Sequence, residues 1–544
     1  MYSTLIQQGK ILTGAANPWF ISDIGIKDGR IVKIGRIENE QADHVIDARE
    51  LIVCPGFIDV HSHSDFIISL LPSAESTLMQ GVTTLITGNC GFSLAPTTPE
   101  TNALLLKGLS PFVPPDVQLQ MPWNSFTTYL ENEATLDLAV NIGHLVGHGT
   151  IRIAVMGYKN RAPSKPELER MKHHVGEAMQ AGAFGLSSGL IYPPGMFAQT
   201  SELIEIAQVV HEHGGIYASH IRGEGATLLT AMSEAIEIGE KAQIPVHIAH
   251  HKASGRHQWG QITQTLQLME TARARGIDIT CDQYPYTAGM TSLGTLLPPW
   301  AHEGGLNALL NRLRSSDQRN RMKTDMEQGI PGWENFVMDN DWSSIYVASV
   351  RSKKNREWEG KNLTEIAHAK ASDEITMLFD LLLEEKGEVT IILFFMHEDD
   401  VQQVMRHPLQ MIGSDSWSVA PEGVLSRGKP HPRFYGTYPR ILGKYVREQN
   451  VLPLQDAIRR MTAFPATRFG LKDRGLISEG MWADITIFNP VTILDHASYE
   501  APHQYPVGIE YVLVNGSLAV DQGKLTDIRA GQVLRRVVSE SASC

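Results

Sequence analysis

The chain has 544 residues, of which 42% are hydrophobic, 20% charged and 7% aromatic. This composition excludes collagen-like and intrinsically disordered proteins, and the length is ample for a large buried core. Lys and Arg number 47 against 60 Asp and Glu, so the net charge of −13 predicts no nucleic acid partner. The 21 histidines are an unusual count and favour metal or acid–base chemistry.

The cysteines and the N-terminal residues favour a cytoplasmic protein. Four scattered cysteines are too few for a disulfide framework, which predicts a reducing compartment. No basic region followed by an apolar core begins the chain, so no secretory signal is predicted. The longest apolar run, near 391–396, is far below the ~20 residues that span a bilayer, so no membrane association is expected. The sequence leaves the oligomeric state open.

Both ends of the chain have the pattern of short strands joined by turns. Asp28-Gly29 lies between two apolar runs and predicts a tight hairpin. Asn515-Gly516 separates two similar runs near the other end. We therefore predict one small β-sandwich domain assembled from residues 1–54 and 476–544.

Between the two ends, apolar runs alternate with amphipathic helical stretches. The predicted helices cover 166–181, 201–213, 226–242 and 261–275. The predicted strands cover 57–60, 83–87, 138–143, 184–190, 216–219, 246–249, 277–281, 390–395 and 410–413. Continuous apolar runs suit a parallel sheet covered by helices, which predicts an α/β fold with a (β/α)8 TIM-like barrel over 55–475. Nine candidates for eight positions means that one is misassigned or an extra. The segment at about 297–362, rich in Trp and charge, fits an insertion over the barrel mouth.

Histidines stand where several predicted strands end. His61 and His63 follow the first barrel strand, and alternate residues of a strand point the same way. His220 and His250 follow two later strands. A single histidine at a strand end is more often structural. Four at equivalent ends favour a zinc site, because barrel active sites lie at these ends and zinc prefers nitrogen ligands.

Cys90 and Asp415 complete the candidate set. Cys90 follows a strand-like run within Gly88-Asn89-Cys90-Gly91, and the choice between a thiolate ligand and a buried packing thiol is about even. Asp415 follows the last barrel strand, where a carboxylate beside a metal can take a proton from water. The alternative role for Asp415 is a cap for the next helix.

The motifs, taken in order, resemble a known family. Pro55-Gly56-Phe57-Ile58-Asp59-Val60-His61-Ser62-His63 resembles the opening motif of the amidohydrolase superfamily. The later motifs resemble its N-acyl-D-amino-acid deacylase (D-aminoacylase) branch, and they are Gly88-Asn89-Cys90-Gly91, Gly185-Leu186-Ser187-Ser188-Gly189-Leu190-Ile191-Tyr192-Pro193, His220-Ile221-Arg222, His250-His251-Lys252, Tyr284-Pro285-Tyr286, Gly413-Ser414-Asp415 and His431-Pro432-Arg433. The resemblance extends from about residue 3 to residue 520.

The resemblance implies roles for individual residues. A tightly bound zinc would be held by Cys90, His220 and His250. A weaker second divalent metal position would be bordered by His61, His63 and Asp415. Most two-metal amidohydrolases bridge their metals with a carboxylated lysine from the fourth strand, but Ser187-Ser188-Gly189 stands there, and Cys90 is the natural replacement. The substrate carboxylate would be met by Lys252, Tyr192, Tyr284 and Arg433.

The resemblance therefore implies zinc-dependent hydrolysis of small N-acyl-D-amino acids to a D-amino acid and a carboxylate, with Asp415 moving the proton. His61 and His63 would orient Asp415, bind a second ion or stabilise the oxyanion. One alternative is a cyclic amide hydrolase, such as a hydantoinase or dihydroorotase, and the missing strand-four lysine weighs against it. A catalytically inactive metal-binding relative is another, and the intact ligand set weighs against it. Residues 287–300 contain apolar side chains, Met290 among them, but no Lys or Arg. These apolar residues either pack the insertion against the barrel or line the pocket, and the choice is about even. If they line the pocket, neutral apolar substrate side chains are expected.

Overall fold

The computed structural model describes residues 1–38, 41–114, 117 and 119–536. Its strands are β1 (Tyr2–Ile11), β2 (Phe20–Lys27), β3 (Arg30–Gly35), β4 (Ala42–Asp47), β5 (Ile52–Pro55), β6 (Phe57–Asp59), β7 (Val82–Thr87), β8 (Asn141–His144), β9 (Val146–Gly147), β10 (Gly185–Gly189), β11 (Ile216–His220), β12 (Val246–Ile248), β13 (Ile279–Gln283), β14 (Ala288–Ser292), β15 (Ile345–Val350), β16 (Val389–Phe394), β17 (Gln410–Ile412), β18 (Ile485–Phe488), β19 (Ile509–Val514), β20 (Ser517–Asp521) and β21 (Lys524–Leu525).

The α-helices are α1 (Glu75–Leu78), α2 (Asn102–Leu109), α3 (Phe126–Glu133), α4 (His148–Met156), α5 (Lys165–Ala181), α6 (Thr200–Glu212), α7 (Leu228–Ala242), α8 (Ile262–Ala274), α9 (Leu306–Leu313), α10 (Ser316–Gln328), α11 (Phe336–Asp339), α12 (Leu363–Ala369), α13 (Glu374–Glu384), α14 (Glu398–Arg406), α15 (Arg433–Arg440), α16 (Leu454–Met461) and α17 (Ala463–Phe469). Helix α5 shows why the sequence starts and stops a helix where it does. Ser164 and Glu167 form a capping box at its start, and Gly182 ends it in the left-handed conformation.

The central strands form a closed parallel barrel. Strands β6, β7 and β8 pair in order, and β9, β10, β11, β12, β13 and β17 form a second parallel run. Only Leu145 separates β8 from β9, so these two strands together occupy one strand position of the barrel, called a stave here, and they join the two runs. A parallel bridge between Ser62 and Ser416 closes the ring beyond β6 and β17. Within the described ranges this gives eight staves, which confirms the predicted (β/α)8 barrel.

The extra strand of the prediction belongs to an insertion. The run at 390–395 is β16, which pairs antiparallel with β14 and β15 in a separate three-stranded sheet. This sheet reaches from Ala288 to Phe394, beyond the predicted 297–362 at both ends. Strand β16 is buried along nearly its whole length against the insertion's own apolar cluster. Its hydropathy therefore matches that of a barrel strand, and only its pairing partners distinguish it.

The two ends of the chain share one nine-stranded sheet. Strand β1 pairs with β2, β4 and β5, and β5 pairs antiparallel with β18 from the other end of the sequence. Asp28 and Gly29 both have positive φ in the predicted hairpin between β2 and β3. Apolar side chains from both ends, including Ile6, Ile26 and Ile485, pack in one buried cluster.

Three cysteines in the described part of the chain, Cys54, Cys90 and Cys281, are buried free thiols. Cys544 lies outside the described residues. Across the described ranges, no helix combines the length and the apolar character needed to cross a membrane.

The barrel brings Gly189 against the loop that carries Cys90, which yields a stability prediction. A Cβ on Gly189 would lie 2.0 Å from the Cys90 carbonyl oxygen and 2.7 Å from the carbonyl carbon. Both β10 and the loop at Cys90 would have to shift their backbone to make room for the methyl group. Gly189→Ala should therefore lower the free energy of unfolding by about 1–3 kcal/mol. Thermal melting measures this loss as a lower Tm.

Gly176→Ala is the matched control. Gly176 lies inside α5, and a Cβ there would meet nothing closer than 3.8 Å. This variant should gain about 0.5–1 kcal/mol from helix propensity. A Gly189→Ala protein that melts at or above the parent temperature would contradict the packing argument.

Candidate metal centre

The predicted ligands converge at the carboxyl ends of the barrel strands. Their ligand atoms form two sets, each with all atoms within 4.8 Å of one another, and the sets share one cysteine. The sets are Cys90, His220 and His250, and His61, His63, Cys90 and Asp415. The structure therefore brings together every residue that the sequence nominated as a metal ligand or proton carrier.

The set formed by Cys90, His220 and His250 has the chemistry and the spacing for zinc. Cys90 Sγ lies 3.5 Å from His250 Nε2. A tetrahedral zinc with Zn–S of about 2.3 Å and Zn–N of about 2.1 Å separates such ligands by about 3.6 Å. Both ring nitrogens of His220 are buried, and neither has a hydrogen-bond partner among the described residues. A buried imidazole needs a partner for its nitrogens, and a metal ion held together with Cys90 and His250 would supply one.

The second set lies on the other side of Cys90. His61 Nε2 is 3.3 Å from Cys90 Sγ and 3.5 Å from Asp415 Oδ1. His63 Nε2 is 3.3 Å from the same carboxylate oxygen. Two imidazoles, a thiolate and a carboxylate therefore face one point next to the first set, where a second divalent ion fits.

Three of these residues adopt a backbone conformation that is uncommon for residues other than glycine. The φ angles are +52° at Cys90, +33° at His250 and +50° at Asp415. A left-handed residue of this kind costs about 1–3 kcal/mol unless the surrounding structure enforces it. Such strain concentrates at functional sites, and here it aims three side chains at one centre.

Neighbouring charges decide which groups are ionised. Burial alone would raise the pKa of the Cys90 thiol, but the imidazoles of His61 and His250 lower it well below its ordinary value. Burial would likewise raise the pKa of Asp415, and the Arg433 guanidinium lowers it well below its ordinary value. The neighbouring cations therefore favour the anionic forms of both Cys90 and Asp415.

Ser187 holds the loop that carries Cys90. Its hydroxyl accepts a hydrogen bond from the Gly91 N–H at 3.0 Å and donates one to the Gly88 carbonyl. Ser187 lies in β10, the fourth stave of the barrel, where the resemblance placed a carboxylated lysine in other two-metal enzymes. In this chain the fourth strand positions the Cys90 loop and presents no lysine to the metal site.

Two buried acids lie next to the ligands, and neither was among the candidate site residues predicted from the sequence. Glu224 Oε1 lies 2.6 Å from Lys252 Nζ and 3.1 Å from His250 Nδ1. Asp282 contacts His61, His247 and the backbone of His250. The available signals were an acid four residues after His220 and an acid inside the buried strand β13.

Three of the four predicted substrate contacts line a cavity at the centre. Lys252, Tyr192 and Tyr284 line it together with His220, His250 and Asp415. Its apolar side is formed by Ile191, Met290, Phe336, Leu393 and Phe395.

The two predicted cations are both paired with acids in this structure. The Lys252 ammonium pairs with Glu224, as described above. Arg433 lies behind the cavity wall, where its Nη1 is 2.9 Å from Asp415 Oδ2 and its guanidinium lies over the Tyr284 ring at 4.6 Å. The structure places Arg433 against the candidate base, and its contact with the substrate carboxylate stays a prediction.

Residues 44–520 match the model of the amidohydrolase family. The chain belongs to this family. It is 34% identical to a D-aminoacylase from Alcaligenes xylosoxydans xylosoxydans, with 99% of this chain and 98% of that protein covered. It is also 34% identical to an N-acyl-D-glutamate deacylase from the same organism, over 98% and 97% of the two chains.

A solved structure shares the fold of this amidohydrolase. It is an N-acyl-D-glutamate deacylase from Bordetella bronchiseptica, crystallised with zinc and a phosphonate inhibitor. The TM-score is 0.83 and the identity 32%, with 98% of this chain and 99% of that chain covered. These matches confirm the family resemblance that the motifs indicated.

The two ligand sets lead to a prediction about metal content. Cys90→Ala removes the only thiolate of the first set, so zinc that survives dialysis should fall from near one per chain to a small fraction. His61→Asn leaves Cys90, His220 and His250 intact and should keep close to one zinc per chain. Elemental analysis measures both values, and the reverse pattern would assign the tight position to the second set.

Proposed function

We propose that this amidohydrolase is a zinc-dependent deacylase of N-acyl-D-amino acids that releases a D-amino acid and a carboxylate. The observation that carries the proposal is the pair of ligand sets sharing the buried Cys90 thiolate beside a cavity that Asp415 borders. The names of the two relatives and the zinc in the related crystal structure support it.

Cys90, His220 and His250 would hold the tight zinc, and His61, His63 and Asp415 would border a second divalent ion. When bound, zinc supplies Lewis acidity toward the amide carbonyl and toward the attacking water. The protein's part is to keep the thiolate ionised and to turn the imidazole nitrogens toward the metal. The buried acids Glu224 and Asp282 serve that purpose through His250 and His61.

Asp415 is the proton carrier in this proposal. Its ionised Oδ1 faces the two imidazoles of the second set, and its Oδ2 is held by Arg433. Held in this way, Asp415 would accept a proton from water as the carbonyl carbon is attacked. It would then deliver that proton to the departing amine, so the same carboxyl acts first as base and then as acid.

The α-carboxylate of the substrate would be bound on the Lys252 side of the cavity. Lys252 contributes an ammonium, while Tyr192 and Tyr284 contribute hydroxyls. The Tyr192 hydroxyl lies 3.2 Å from Thr291 Oγ1, which keeps the phenol aimed across the cavity. Arg433, directly behind Tyr284, would add positive potential and hold the ring in place.

A cyclic amide hydrolase is less well supported. Ser187 fills the position of the strand-four lysine and is committed to hydrogen bonds with the Cys90 loop. An inactive relative is also disfavoured, because the ligand sets and the proton carrier are all present around one cavity.

The side chain of the substrate is proposed to be neutral and apolar. Among the described residues that line the cavity, Lys252 is the one lysine or arginine, and it is paired with Glu224 at 2.6 Å. A carboxylate side chain would therefore enter an apolar wall that includes Met290 and Phe395 without a partner. Leaving such a charge buried and unpaired is very costly.

Asp415→Asn should abolish most of the turnover. An amide keeps the size of the side chain but cannot carry the proton, so kcat should fall about 10²–10⁴-fold. Zinc content and thermal melting, measured on the same preparation, should stay close to the parent values. A variant with a rate within tenfold of the parent would remove Asp415 from the mechanism.

Substrate comparison tests the activity and the preference together. We expect kcat/KM for N-acetyl-D-leucine to exceed that for N-acetyl-D-glutamate, and N-acetyl-L-leucine and hydantoin to be poor substrates. Rapid hydrolysis of hydantoin alone would overturn the deacylase proposal. A glutamate value equal to or above the leucine value would overturn only the apolar preference, since it would show that a cation reaches the side chain.

A further inference from the structure

Asp282 is a buried hub beneath both ligand sets. It lies in β13 with 0% of its surface exposed. Its Oδ1 accepts a hydrogen bond from the His250 backbone N–H at 3.0 Å. Its Oδ2 lies 3.1 Å from His61 Nδ1 and 2.9 Å from His247 Nε2. One carboxylate thus joins a ligand of the first set, through its backbone, to the ring of a ligand of the second set.

The fold holds this carboxylate in one place. Gly413, just after β17, faces it so closely that a Cβ there would lie 2.6 Å from Asp282 Oδ1. His247 is fixed on the opposite side, because its Nδ1 lies 2.9 Å from the Thr280 hydroxyl. The three contacts of its two oxygens, with His61, His247 and the His250 N–H, therefore hold the Asp282 carboxylate in this orientation.

The chemistry of the contact determines which nitrogen of His61 carries hydrogen. An ionised carboxylate only accepts hydrogen bonds, so Nδ1 carries the hydrogen once the His61 ring is neutral, as a metal ligand must be. The lone pair is then on Nε2, the atom that lies 3.3 Å from Cys90 Sγ and 3.5 Å from Asp415 Oδ1. That is the nitrogen which a metal in the second position would need.

We propose that Asp282 is a positioning residue that sets the affinity of the second metal position by fixing the tautomer of His61. The inference rests on the metal centre of the proposed function. The expected effect is specific to the second metal position. Among the described residues of the first set, Asp282 forms a hydrogen bond only with the His250 N–H, and the neutral oxygen of an amide would also accept that bond.

Asp282→Asn tests this with almost no change in size. The amide oxygen would stay toward the His250 N–H, because an amide nitrogen there would bring two donors together. The NH2 group would then face His61 Nδ1 and His247 Nε2 in place of an acceptor. A donor at this position makes His61 Nδ1 the acceptor, so the ring hydrogen moves to Nε2 and blocks it as a ligand.

Asp59→Asn is the matched control. Asp59 is another buried acid, and its Oδ1 accepts hydrogen bonds from the N–H groups of His61 and Ser414 at 3.1 and 2.9 Å. Its Oδ2 accepts from the Ser414 hydroxyl, which can instead accept a hydrogen bond from an amide. This variant removes the same charge near the same histidine without touching the imidazole ring.

The experiment is a calorimetric titration of the metal-depleted full-length proteins with Zn²⁺. The parent and Asp59→Asn should each bind one tight ion and one weaker ion. Asp282→Asn should keep the tight ion and bind the second about 10–100-fold more weakly. In a His61→Asn background, adding Asp282→Asn should have no further effect on the metal stoichiometry.

Three results would overturn the proposal. They are a parent that binds one ion only, an Asp282→Asn protein with parental affinity for the second ion, and an Asp282→Asn protein that loses both ions equally. The last would show a general structural role. None of these depends on turnover, so failure to hydrolyse N-acyl-D-amino acids would overturn the proposed function and leave this inference standing.

A measurement without mutation of Asp282 covers the case in which that variant does not fold. In parent protein saturated with Zn²⁺ and labelled with ¹⁵N-histidine, the His61 signals can be identified by their loss in His61→Asn. The ¹⁵N shifts should show a hydrogen on Nδ1 and none on Nε2. A hydrogen on Nε2 would overturn the proposal directly.

Discussion

The buried Cys90 thiolate is the group on which the rest of the site depends. A negative charge away from water is stable only beside compensating groups, and here imidazoles from three different strand ends surround it. The same sulfur belongs to both ligand sets, so neither set can form without the loop at 88–91. That loop is in turn held by Ser187 and packed against Gly189, which explains why the fourth strand is small and polar at this point.

The remaining acids of the centre are arranged so that each has a partner. Asp415 is paired with Arg433, Glu224 with Lys252, and Asp282 with two histidines. These pairings keep the carboxylates ionised in a buried environment, and they also turn the metal-binding imidazoles in the required direction.

Glu334 is different, and it shows how the insertion joins the barrel. It comes from the insertion, and its Oε2 accepts a hydrogen bond from the Glu224 N–H at 2.9 Å. Burial and the neighbouring Glu224 raise the pKa of Glu334 to about 8, so it is mostly neutral at pH 7. The insertion therefore reaches the charged centre without adding another negative charge. Apolar residues of the same insertion, such as Phe336 and Leu393, then complete the cavity wall.

Local sequence patterns were sufficient to predict much of this protein. Apolar runs of strand length and amphipathic helical stretches predicted the barrel, because the position of apolar residues along each element depends on which of its faces are buried. Histidines directly after apolar strands located His61, His63, His220 and His250, since parallel strands end at the same rim. The order of the motifs indicated the family.

Only the tertiary structure decided the rest, because it depends on contacts between residues far apart in the chain. Strand β16 looks like a barrel strand in hydropathy and is assigned to the insertion by its pairing with β14 and β15. The partners of Asp282 and Arg433 come from distant strands that meet when the barrel closes. The family resemblance implied that Arg433 binds the substrate carboxylate, and the closed barrel adds a contact that no local pattern indicated, because it brings Arg433 Nη1 to 2.9 Å from Asp415 Oδ2.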